Sequence, residues 1–335
     1  MLAGRYTIKH KLYNTLYGDA SLAIDQNGSN VIIKASGREY ADKFVTKNGN
    51  KKTYENVHTE TEILNKLKDP EMAKYVCQFV ESFQDGQYYY TVLEYLPGKD
   101  LYDFLKMNNY TFAETEAKDI FRQIIVALLC LHKKNIAHLD ISVENVIIDE
   151  NNRVKLIDFG SARLLSPEEI KDRRCKFGNV IPGKMRYISP ELVWKRNIDV
   201  FLHDAYSCGV LLYMLLCCKY PYKAVDDNEF NIFWSGEWTD SEKYKEFSGS
   251  LSADAIDLIS HLICPESSRY TLEQVLSHKW LQESLESRPV VVEFIDIRGS
   301  SSLSEVTDDR SPSRQEYHYT RDVSVRFEDG MGVHY

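Results

Sequence analysis

This chain of 335 residues has no CxxC pair, no long apolar run, no calcium-loop pattern and no excess of positive charge. Its seven cysteines are odd in number and scattered. They read as buried thiols in a reducing compartment. The longest apolar run, Cys208 to Cys218, is 11 residues and too short to span a bilayer. The N-terminus MLAGRYTIKHK lacks an apolar signal segment and has Leu2 where a myristoyl acceptor needs glycine. No D-x-[DN]-x-[DN]-G loop occurs, so no built-in calcium-binding domain is expected. With 41 Lys and Arg against 50 Asp and Glu, the net charge of −9 disfavours a nucleic-acid backbone as partner. A hydrophobic share of 43% with 27% charged residues excludes wholesale disorder and fibrous classes. The expectation is a soluble intracellular protein, cytoplasmic with a nuclear location left open, and with no membrane or nucleic-acid partner. Its length suits two lobes.

Up to about residue 95 the pattern is short β-like runs: Tyr6–Ile8, Ala20–Ile24, Val31–Lys34, Glu39–Val45 and Tyr88–Leu93. Asn27-Gly28, Asn48-Gly49 and Asp85-Gly86 punctuate them as turns, and one helix is expected near Tyr54–Leu67. Beyond residue 100 the periodicity is helical. In Glu114–Lys134 the residues Ile120, Phe121, Ile124, Ile125, Leu128 and Leu131 mark one apolar face. Asp204–Cys218 is apolar nearly all round and predicts a buried core helix. Leu251–Leu262 and Leu272–Leu281 read as amphipathic helices. A small β-rich lobe thus precedes a larger helical one, an α+β arrangement. After Ser284 the composition turns polar. Gly299–Arg314 is expected to be disordered, and Val290–Ile297 reads equally as a strand or a docking segment.

The densest chemical signal is NIAHLDISVENVIIDENNRVKLIDFG, Asn135–Gly160. His138-Leu139-Asp140 is followed by Asn145 and then by Asp158-Phe159-Gly160, 18 residues after Asp140. The spacing resembles the catalytic loop and D-F-G motif of eukaryotic serine/threonine protein kinases. Together HLDISVEN and GKMRYISPE resemble divergent kinases of apicomplexan and related protists. The resemblance covers residues 6–284, with an N-lobe to about 95, a C-lobe over 96–284 and a largely disordered tail over 285–335. It implies a bilobal fold that uses ATP and Mg2+ to phosphorylate protein substrates. It makes Asp140 the catalytic base, and Asn145 and Asp158 the magnesium ligands. Phosphoryl transfer needs positioning and charge compensation more than covalent chemistry, which suits this trio.

Other segments fall in the same order. Ser189-Pro190-Glu191 resembles the A-P-E motif, Arg269 its buried partner, and Asp204 the aspartate that anchors the catalytic loop. TVLEYL resembles the hinge, with Leu93 as gatekeeper and the backbone of Glu94–Leu96 reading adenine. Asp100 stands at the ribose-binding position, and Ile147 is expected beneath the base. Leu12–Ala20 resembles the Gly-rich loop, with Leu12, Gly18 and Ala20 as nucleotide contacts, although only Gly18 of three glycines remains. The family lysine that pairs the phosphates has two candidates. Lys34 ends VIIK; Lys43 lies in REYADKFV, preceded by Ala41 at the adenine position. Glu60 of TETEIL resembles the helix glutamate that partners this lysine. It follows Lys43 by 17 residues and Lys34 by 26, so the shorter linker favours Lys43. Residues 26–38 then become a hairpin between strands.

Two departures from the family pattern stand out. Leu139 replaces the arginine that in many kinases receives an activation-loop phosphate, and no threonine lies between Gly160 and Ser189. The hydroxyls there are Ser161, Ser166 and Tyr187, beside a basic run, Lys171–Lys176. In addition, Ser142 stands where these kinases carry a lysine, and Lys184 where they carry a threonine. A flexible Lys184 stem is expected to return the ammonium to nearly the same place. The degraded loop and lost arginine also admit an alternative, a pseudokinase acting as a binding scaffold.

Overall fold

The computed structural model describes residues 2–47, 51–107, 113–223 and 251–282, with Phe230, Asn231, Trp234, Trp238 and Lys245. The expected tail and the Asn48-Gly49 turn lie outside the described residues.

The N-terminal lobe is a five-stranded antiparallel sheet, β1 (Thr7–Asn14), β2 (Gly18–Ile24), β3 (Asn30–Gly37), β4 (Phe79–Gln84) and β5 (Tyr88–Glu94), in the order β1-β2-β3-β5-β4. Asp25 closes the β2–β3 hairpin, its Oδ1 accepting the amides of Asn27 and Ser29 at 2.9 and 2.8 Å. Asp85 turns β4 into β5 the same way, accepting from Gln87 and Tyr88. These are Asx turns, in which a short side chain takes over the turn's hydrogen bonds. Two helices pack on the sheet: short α1 (Arg38–Ala41) and α2 (Val57–Lys66), the latter capped by Asn56 accepting from His58 and Thr59. The strand expected over Glu39–Val45 is therefore a helical turn, and residues 26–38 are not an intervening hairpin. They hold β3 itself, zipped to β2 and β5 through Ala20↔Lys34 and Lys34↔Thr91.

The C-terminal lobe continues with β6 (Gly98–Asp100), α3 (Leu101–Met107), α4 (Glu114–Lys133), β7 (Ile136–Ala137), β8 (Val146–Asp149), β9 (Val154–Leu156), β10 (Arg163–Leu164) and β11 (Arg174–Lys176). Then come α5 (Pro190–Trp194), β12 (Asn197–Asp199), α6 (Val200–Cys217), α7 (Ala253–Leu262), α8 (Leu272–Leu276) and α9 (Lys279–Gln282). The expected apolar face of α4 is buried, and α6 lies almost wholly inside the lobe. By length and composition α6 could cross a membrane, yet its side chains pack against α4 and α7. The chain from β7 to α5 runs beneath the N-terminal sheet and carries the chemically notable residues.

Candidate active site

An open, largely apolar cleft lies between the lobes. Leu12, Ile32, Leu93 and Ile147 supply apolar walls, Glu94–Leu96 form one edge, and Lys34, Asp100 and Asp158 bring charge. Of the residues expected here, Leu12, Leu93, Glu94, Leu96, Asp100 and Ile147 line the cleft. Tyr13 and Tyr95 line it as well, and Ile32, Cys77 and Ile157 join them without having been singled out from the sequence. Asp100 also accepts the amide of Asp103 at 2.8 Å, opening α3.

Lys43 and Ala41 are corrected. Lys43 is exposed in the turn after α1, and Ala41 is buried against Tyr17 and Val57. Lys34 instead reaches Glu60 Oε1 at 2.7 Å and Asp158 Oδ1 at 2.8 Å. Ile32, two residues before it, takes the wall position given to Ala41. Linker length was a poor guide because loop entropy grows only logarithmically. Going from 17 to 26 residues costs about 0.4 kcal/mol, less than one well-made ion pair contributes. Burial alone would favour loss of the Lys34 proton, but Asp158 and Glu60 reverse this and hold it well above the ordinary lysine value. Burial likewise opposes the Asp158 charge, yet the Lys34 ammonium outweighs it and holds that carboxyl well below the usual carboxylate range.

Gly18 and Ala20 lie outside the cleft lining. A Cβ on Gly18 would fall 1.9 Å from the Ala35 carbonyl oxygen, so this glycine survives for strand approach rather than for phosphates. At the hairpin tip the Thr15 amide donates to the Gly18 carbonyl at 2.9 Å, and the Gly18 amide to Thr15 Oγ1 at 3.0 Å. Both amides are spent within the turn.

The catalytic-loop residues converge below. Asn145 Nδ2 donates to the Asp140 carbonyl and to its Oδ2, both at 2.7 Å. The Lys184 amide donates to Asp140 Oδ1 at 3.1 Å, and Lys184 Nζ lies 3.1 Å from Oδ2. Burial raises the Asp140 carboxyl above its ordinary value, with Lys184 pulling the other way. Leu139 and Asp158 occupy the left-handed region at φ 62° and 66°, an unfavourable conformation for such side chains. Asp204, fully buried, pins the first by accepting the amides of His138 at 2.9 Å and Leu139 at 2.8 Å, and His132 Nε2 lies 2.9 Å from it.

Glu55 is a carboxylate that sequence reasoning missed. It packs against Gly160, where an added Cβ would meet its carboxyl carbon at 2.9 Å, and burial with the nearby Asp158 charge pushes it up to about 8.

The protein kinase domain model matches residues 28–281. The chain belongs to the protein kinase family. This kinase is similar to the "Probable serine/threonine-protein kinase KIN1 homolog" of Enterocytozoon bieneusi (strain H348), 32% identical over 206 residues, or 62% of this chain and 32% of that protein. It is 26% identical over 325 residues to the "Calcium/calmodulin-dependent protein kinase type 1" of Macrobrachium nipponense, covering 94% and 85% of the two chains. Over 336 residues it is 26% identical to the "Serine/threonine-protein kinase grp" of Drosophila melanogaster, covering 98% and 60%. The kinase thus spans about a third of the first of these relatives.

Contacts within the chain hold the segment from Gly160 to Ser189. Leu139 is fully buried among Leu165, Cys175, Phe177, Ile188 and Leu192, an apolar seat under the segment. Arg163 pairs with Glu169, whose second oxygen accepts the Ser166 amide at 2.9 Å. Burial opposes the Arg163 charge, but Glu169 and Tyr54 more than compensate. The basic run is also partly consumed within the chain: Arg173 lies 3.0 Å from Asp199 and Arg174 2.6 Å from Glu266. Ser161 and Tyr187 are buried, which removes two of the three hydroxyls from easy modification. Phosphatase-treated enzyme is therefore expected to keep turnover within about twofold, whereas Glu169→Ala, which leaves Arg163 half-buried without its carboxylate partner, should lower it several-fold. A tenfold loss on dephosphorylation, restored by phosphorylating Ser161 or Ser166, would contradict this.

Proposed function

We propose that this chain is an active serine/threonine protein kinase, transferring the γ-phosphate of Mg-ATP to serine and threonine hydroxyls of protein substrates. The single observation that carries the reading is the assembled charge relay of Lys34, Glu60 and Asp158 above the Asp140–Asn145–Lys184 cluster, with both strained backbone positions in place. A scaffold that had lost catalysis has no need to keep such a costly arrangement of buried charge.

Among the described residues no three His, Cys, Asp or Glu side chains form a metal cage. Asp158 with Asn145 still fits magnesium, which usually takes one or two protein ligands and completes its shell with phosphate and water. Bound Mg-ATP supplies the phosphoryl group and the divalent charge that offsets its oxygens. The chain's own residues do the rest. Leu12, Ile32, Leu93 and Ile147 enclose the base, and the Glu94–Leu96 backbone reads its edge. Lys34, kept protonated by its two carboxylates, holds phosphate oxygens. Asp140, oriented by Asn145 and the Lys184 amide, accepts the proton of the incoming hydroxyl, and its raised affinity for protons suits that task.

Phosphate incorporation from ATP into a generic basic protein tests the reading. It is expected with wild type, to be lost in Asp140→Asn, and to need magnesium. Equal incorporation by wild type and Asp140→Asn would overturn it and leave the binding-scaffold alternative.

A further inference from the structure

We propose that Lys184 is a catalytic residue of this kinase, its ammonium reaching from the activation segment to neutralise the phosphoryl group in flight, with the Ser142 hydroxyl as its seat. The proposal rests on the kinase reading above and adds to it the source of the cation at the acceptor side of the reaction.

Geometry makes the case. Gly183, immediately before Lys184, has φ 85°, and a Cβ there would lie 2.6 Å from the Leu139 carbonyl oxygen. Only glycine lets the activation segment come this close to the catalytic loop. That approach places the Lys184 amide on one oxygen of Asp140 and its Nζ on the other, each at 3.1 Å. Nζ is also 2.8 Å from Ser142 Oγ and 4.0 Å from Glu144 Oε2. The ammonium is thus folded back beside the proposed base instead of pointing to solvent, the usual fate of a lysine.

The charge balance of the site needs such a group. Lys34 is already committed to Glu60 and Asp158 on the nucleotide side. Ser142 is fully buried and carries no charge, so two residues beyond Asp140 the catalytic loop offers a hydrogen-bond partner and no cation. As the hydroxyl oxygen bonds to the γ-phosphorus, its proton passes to Asp140 and the bond to the β-phosphate oxygen breaks. Negative charge then spreads over the three equatorial oxygens beside Asp140. A pre-placed ammonium there meets the developing charge without having to reorganise. The Lys184 side chain is 39% exposed, so its stem can shift from Asp140 towards those oxygens.

A structural strut between segment and loop would show the same contacts, so the test must separate charge from support. Wild type, Lys184→Ala, Lys184→Gln and the exchange variant Ser142→Lys with Lys184→Thr are compared by kcat, KM and thermal melting. Lys184→Ala and Lys184→Gln are each expected to lose roughly 10²-fold in kcat, about 2.7 kcal/mol, with KM within about threefold and melting unchanged. The exchange variant should recover at least about tenfold of that loss, because the cation returns from the loop side into the space that Lys184 vacates. Lys184→Gln with near-wild-type turnover overturns the proposal, since glutamine keeps a polar side chain and lacks the charge. So does a folded exchange variant no faster than Lys184→Ala. Inactive wild type overturns the kinase reading and the role of Lys184 with it, whereas active wild type beside an equally active Lys184→Ala overturns only the latter.

Discussion

Replacing Lys34 by Met is expected to lower kcat by roughly 10³-fold, while Lys43→Ala stays within about twofold of wild type. Lys34 Nζ bridges Glu60 and Asp158 at 2.7 and 2.8 Å with only 12% of its side chain exposed. Its removal takes away the ammonium that bridges buried Glu60 and half-buried Asp158 and leaves both carboxylates without their common partner. Lys43 is exposed, so its loss touches no group in the cleft. Steady-state turnover with nucleotide affinity measured in parallel checks both variants. Comparable losses in Lys34→Met and Lys43→Ala would show that the charge relay has been assigned to the wrong strand.

Arg269→Ala is expected to destabilise the fold by about 3–5 kcal/mol, read from denaturant unfolding. Its guanidinium is fully buried and grips Glu191 bidentately at 2.5 and 3.2 Å. The same two nitrogens donate to the carbonyls of Leu202 at 3.0 Å and Cys264 at 2.7 Å. The ring of Tyr206 lies 4.7 Å away. Removing one member strands a buried carboxylate and two carbonyls. Replacing both by apolar residues of similar volume, Arg269→Met with Glu191→Leu, should cost distinctly less, because no charge is left unpaired. A single variant that unfolds within about 1 kcal/mol of wild type would mean the pair lies in a wetter place than the structure describes.

The motifs most legible in the sequence were those whose chemistry fixes residue type and spacing together. Asp140, Asn145 and Asp158 occur within one short stretch, so no long-range folding choice stands between reading them and placing them. Glu191, Arg269 and Asp204 were legible through the family resemblance, which places them in order along the chain. The helix α4 declared itself by apolar periodicity and α6 by being apolar nearly all round, and α8 and α9 differ from the expected single helix by a break at Ser277 and His278.

What stayed hidden depended on tertiary register. VIIK and REYADKFV look alike as local strings, and β pairing with Thr91 and Ala20 selects the first. The glycine count at Leu12–Ala20 could not reveal that Gly18 answers a carbonyl of β3 rather than a phosphate. Glu55 carried no signal at all, since it belongs to no spaced pattern and gains its position only when α2 docks beside Gly160. The exchange of residue types at 142 and 184 was visible as an anomaly against the family pattern, but the 2.8 Å contact that joins the two positions belongs to the fold.

The most direct test is mass-spectrometric phosphosite mapping on a pool of synthetic peptides carrying serine, threonine and tyrosine, incubated with Mg-ATP and this chain. Phosphoserine and phosphothreonine should accumulate with matching ADP release for wild type and stay at background for Asp140→Asn. Wild-type phosphorylation no greater than that of Asp140→Asn, or confined to tyrosine, would contradict the account.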